Sequence, residues 1–79
     1  MGYRNDTLDT KLCYRFEAKG RIIIGRIVAV PYLANYHQIY YVNLVDISSS
    51  NSPSRIWTTK NINLIPATPE EITAYMLEN

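Results

Sequence analysis

The sequence carries one cysteine, one histidine, one phenylalanine and three glycines in 79 residues. A single cysteine excludes an intramolecular disulfide framework and any cysteine-rich zinc site. A thiol nucleophile needs an oriented base, and His37 is the only imidazole available to Cys13. Glycines at positions 2, 20 and 25 cannot build a phosphate-cradling loop. No stretch approaches the ~18–20 apolar residues of a membrane span. The polar start, with Gly2, Arg4, Asn5 and Asp6, is unlike a secretory signal. Together these absences predict a protein that is not an enzyme, with no metal, no cofactor and no membrane segment. They also predict an intracellular, cytoplasmic location.

What is present favours strands. Ten Ile, four Val, six Thr and nine aromatic residues suit a pleated, half-buried surface, whereas five Ala and six Leu are thin for a helical bundle. With 47% hydrophobic and 19% charged residues the chain is too apolar to be disordered. The serine-rich tract from Ser48 to Ser54 reads as a loop tip and is too short for a domain linker. One domain is expected, with an N-terminal arm (1–10), a β body (11–67) and a C-terminal helix (68–79).

Five strands are predicted. In the first, Leu12, Tyr14, Phe16 and Ala18 alternate with Lys11, Cys13, Arg15 and Glu17, the period of a strand with one buried face. Lys19-Gly20 forms the turn. The second, Arg21 to Tyr32, is apolar on both parities and holds Gly25, which predicts a bulge or bend there and a strand that serves two sheets in turn. Leu33 to His37 is a loop. The third strand covers Gln38 to Ser48, and the fourth covers Arg55 to Thr59. Lys60 to Asn63 is a tight or 3₁₀ turn before a short last strand, Leu64 to Ala67. Thr68, Pro69 and Glu71 then fit N-cap, N1 and N3 of a capped helix. Its narrow apolar stripe is Ile72, Tyr75 and Met76, and so short a helix must dock on the body or on a partner.

That order, carried by Gly25-Arg26-Ile27-Val28-Ala29-Val30, Tyr40-Tyr41-Val42-Asn43-Leu44-Val45 and Trp57 to Ile65, resembles the SH3-like small barrels of Tudor and KOW type. The resemblance covers residues 11–67 and implies an all-β, five-stranded barrel with the helix appended. It carries architecture and no ligand.

Charge and aromatic rings point to binding. Residues 11–26 hold Lys11, Arg15, Lys19, Arg21 and Arg26 against Glu17 alone, whereas residues 70–79 hold Glu70, Glu71 and Glu78 and no cation. The net charge of +1 is therefore a sum of two opposed segments. The expected function is a protein-interaction module, a small regulatory or inhibitory protein. It would bind through Tyr32, Tyr36, Tyr41 and Trp57 with Arg21, Arg26 and Arg55, because Tyr is amphipathic and loses little entropy on binding. The alternative is a nucleic-acid-binding barrel that uses the basic 11–26 hairpin and base stacking. Self-association through an open edge or the helix stripe is a third reading.

Overall fold

The computed structural model describes residues 8–31, 38–48 and 56–78. Its strands are β1 (Cys13–Ala18), β2 (Arg21–Ala29), β3 (Tyr41–Asp46), β4 (Ile56–Lys60) and β5 (Ile65–Pro66), followed by helix α1 (Pro69–Glu78). The pairings are all antiparallel, in the order β4-β3-β2-β1-β5. The described residues thus form mostly antiparallel sheet with one C-terminal helix.

Side-chain chemistry shortens the strands at their ends. β1 starts at Cys13 because the Asp9 carboxylate accepts the Lys11 N–H (2.9 Å) and the Leu12 N–H donates to the Asp9 carbonyl (3.1 Å), so residues 9–12 form a turn centred on Thr10 and Lys11. β3 stops at Asp46, whose carboxylate accepts the Ser48 N–H (2.9 Å) and Oγ–H (2.8 Å) and turns the chain away. β2 ends at Ala29, two residues before Pro31, which has no N–H for a ladder. At the other end of β3, the Tyr40 N–H donates to Asn61 Oδ1 (2.9 Å), and a side chain takes the place of a strand carbonyl.

One face of the sheet makes the core. Tyr14 and Phe16 from β1, Ile23 and Ile27 from β2, Val42 and Leu44 from β3, and Leu64 are buried together, with Tyr40 and Trp57 packed against them. Each such side chain stabilises by about 1.5–3 kcal/mol on burial, before entropy is charged against it. The sheet is strongly curled. β1 and β4 are three strand spacings apart, about 14 Å in a flat sheet. Yet the Phe16 and Trp57 ring centroids lie 6.4 Å apart, edge to face. The link from Lys60 on one edge to Ile65 on the other is only Asn61 to Leu64, opening with a 3₁₀ turn (Asn61–Asn63). Among the described residues β4 and β5 do not pair, so the sheet is open between them.

Gly25 does not carry the bulge. The register slips between Ile27 and Ala29, which puts the irregularity at Val28. Gly25 lies in a continuous ladder, and a Cβ there would meet the Val45 carbonyl oxygen at 2.9 Å. Close approach of β3, not curvature, requires the glycine. Nor does β2 pass between two sheets. Its second apolar set is Ile24, buried at 2% exposure outside the main core, with Ile22 and Val28 about half exposed.

Candidate functional site

The face of the sheet opposite the core divides into two parts. Over β1 and β2 it is approached by α1. The helix begins with the capping box read from the sequence: Glu71 N–H donates to Thr68 Oγ1 (3.1 Å), and Thr68 N–H donates to Glu71 Oε1 (2.9 Å). The other oxygen, Glu71 Oε2, pairs with Arg15 Nε at 3.0 Å. The bonds from Thr68, with the Arg15 guanidinium nearby, hold the Glu71 carboxyl below its ordinary range. Farther along, the Tyr75 hydroxyl donates to Asp46 Oδ1 (2.8 Å). Burial acts to raise the Asp46 pKa. The bonds from Ser48 and Tyr75 and the Arg21 charge outweigh it and leave this carboxyl below its ordinary value. Burial and the hydrogen bond to Asp46 push the Tyr75 hydroxyl up. Arg15, Arg21, Ile22 and Ile24 face Glu71, Ala74, Tyr75 and Glu78 across a groove of about 400 Å³.

The rest of that face, over β2, β3 and β4, is uncovered among the described residues. The register lays it out in rows: Arg26–Val45–Ile56, then Ala29–Asn43–Thr58, then Tyr41–Lys60. Three rows and three strands span roughly 14 Å by 10 Å. Tyr41 is 60% exposed, and Ile56 and Val28 are each 54% exposed. The middle row is held by Thr58 Oγ1 donating to Asn43 Oδ1 at 2.7 Å. Arg26 and Lys60 add two cations, and no acidic side chain stands in these rows.

The expected site residues fall in different places. Tyr41 and Arg26 lie on this uncovered face, at opposite ends of it. Arg21 is exposed beside the groove and its charge acts on Asp46. Trp57 is half-buried on the core side, against Phe16. Tyr32, Tyr36 and Arg55, and His37 with them, lie outside the described residues. Val28, Val45, Ile56 and Lys60 join the face without having been picked from the sequence. The outward parity of the third strand was legible for Val45, but its alignment with Ile56 and Arg26 needs the register. The Asp46–Ser48–Tyr75 cluster joins residues 29 positions apart and leaves no trace in local pattern.

Among the described residues no group of three His, Cys, Asp or Glu side chains converges, and no helix is long and apolar enough to cross a membrane. Comparison with protein-family models, curated proteins and solved structures returns no match to this chain.

Proposed function

We propose that this chain is a non-enzymatic protein-interaction module, a small cytoplasmic regulatory or inhibitory protein built on an SH3-like barrel. The barrel reading is supported by the curl that brings Phe16 to Trp57 and by the short link between the sheet's two edges. The binding reading rests on the uncovered face of β2, β3 and β4. There Tyr41, Val28 and Ile56 stay exposed while the same side of β1 and β2 is approached by α1. An exposed apolar surface rimmed by polar groups marks an interaction site, and Tyr is enriched at binding anchors. Arg26 and Lys60 favour a partner with carboxylates at matching positions. The nucleic-acid reading loses ground because Arg15, one of its five hairpin cations, is paired with Glu71.

The test is a photo-crosslinking residue introduced at position 28, exposed on the same face, with position 17 on β1 as control, in native lysate with and without nuclease. A protein captured through position 28, unaffected by nuclease, is the expected outcome. Its recovery falls about tenfold or more when Tyr41→Ala is added to the crosslinking chain, the loss of a hot-spot anchor. Equal recovery with and without Tyr41→Ala removes this face from the site. Capture that disappears with nuclease transfers the function to nucleic acid.

A further inference from the structure

The sheet has two edges of unequal character. β5 is two residues long, and Pro66 has no N–H to offer. β4 has five residues, Ile56-Trp57-Thr58-Thr59-Lys60, with neither Gly nor Pro, and no strand among the described residues pairs with its far side. The direction of its backbone groups follows from two hydrogen bonds. Asn61 N–H donates to the Tyr40 carbonyl (2.9 Å), and these residues stand opposite each other when the β3–β4 register is extended by one. Ile47 N–H donates to the Ile24 carbonyl (3.0 Å), one step beyond the β2–β3 register. Bonded and non-bonded pairs alternate along an antiparallel ladder. Both bonds give the same phase. Trp57 and Thr59 turn their N–H and C=O groups toward β3, and Ile56, Thr58 and Lys60 turn theirs outward.

We propose that this edge pairs with β4 of a second copy of the chain, antiparallel, about a two-fold axis through Thr58. This goes beyond the uncovered face and rests on a separate observation. Bonds form only where outward residues meet outward residues. Within β4, an axis at Trp57 or at Thr59 matches two such pairs, whereas an axis at Thr58 matches three. Ile56 then meets Lys60, Thr58 meets Thr58, and Lys60 meets Ile56, for six backbone hydrogen bonds. Charge agrees with this register. Each Lys60 stands opposite an isoleucine and the two ammonium groups are held apart, so no like charges oppose each other. A contact of this kind closes at two copies. It joins two five-stranded sheets into one of ten. A single strand pair is a small interface, so the dimer is reversible and depends on concentration.

Sedimentation velocity on the full chain, from micromolar to millimolar concentration, tests this. Wild type is expected to pass from one chain to two. Thr58 is exposed, and among the described residues its side chain bonds Asn43 alone, so substitution there leaves the core untouched. Thr58→Lys sets two ammonium groups face to face on the axis and weakens association about fivefold or more. Thr58→Glu alone does the same, and an equimolar mixture of the two variants restores pairing. In wild type at high concentration, amide exchange slows at Ile56, Thr58 and Lys60 and is unchanged at Trp57 and Thr59. The proposal is overturned by a wild type that stays single throughout. It is equally overturned by a Thr58→Lys chain that pairs as well as wild type, and either result leaves the edge to an extended segment of a different protein.

Discussion

At the scale of single residues, backbone conformation sets the clearest demands. Lys19 and Gly20 have φ of 53° and 78°, both left-handed, and the Ala18–Arg21 pair closes the two-residue hairpin around them. That is the geometry of a type I′ turn, whose hand matches strand twist and whose favoured pair is Asn-Gly. Glycine meets it freely at position 20. Lysine at 19 bears a steric penalty of about 1–2 kcal/mol, which asparagine partly escapes through local hydrogen bonding. Lys19→Asn is therefore expected to stabilise by about 0.5–1 kcal/mol, roughly 2–8 °C in Tm for a chain of this size. Thermal unfolding followed by circular dichroism decides it, and an unchanged or lower Tm contradicts the turn assignment. Gly25 is the opposite case, a glycine needed for space and not for its φ.

At the scale of elements, burial does little to hold α1. Its ten residues include none that is fully buried, and Leu77 is 83% exposed. A helix this short is marginal in isolation. The capping box, the Arg15–Glu71 pair and the Tyr75–Asp46 bond therefore carry much of its docking. Both carboxyls have folded-state pKa values below their ordinary ones. Their contribution is present above the unfolded value, near about 4 for carboxylates, and is lost as pH falls through the lower folded value. Acid should thus loosen α1 before it attacks the apolar core. Tyr75→Phe removes one bond to the charged form of Asp46, costing about 1–2 kcal/mol of helix docking. It also raises the Asp46 titration midpoint toward the ordinary carboxylate range. Carbon-detected NMR titration of Asp46 in both chains reads this directly, and an unmoved midpoint refutes the coupling.

At the scale of the molecule, the strands and the capped helix were legible because their signals are local. Tyr14 and Phe16 alternate with polar neighbours, Lys19-Gly20 breaks the run, and Thr68 to Glu71 spell a cap within four residues. What was hidden is what depends on partners across the sheet. Glycine inside a strand often marks a bulge, which points to Gly25, yet a neighbouring carbonyl explains that glycine and the slip lies at Val28. Strand ends were overrun where Asp9 and Asp46 bend the chain with their side chains. The candidate face was half legible. Tyr41 and Arg26 stood out by type, and Ile56 and Val45 became part of it only once the β2–β3–β4 register was known.

The strand order also bears on how the chain reaches this state. β1 to β4 form a meander in which each strand pairs with its successor, so those contacts close short loops. The pairing of β1 with β5 joins Tyr14 to Pro66, across most of the sequence. Closing so long a loop is entropically costly until the meander exists to receive it, which makes this pairing a late event. Leu64, buried just before β5, should then be scarcely structured at the folding barrier. Leu64→Ala is expected to cost about 2–4 kcal/mol, nearly all of it as faster unfolding with the folding rate kept. Stopped-flow chevrons of the two chains separate the limbs, and a slowed folding arm would place this closure at the start of folding. In this view the last strand acts as a latch, setting how long the native state survives and not how quickly it forms.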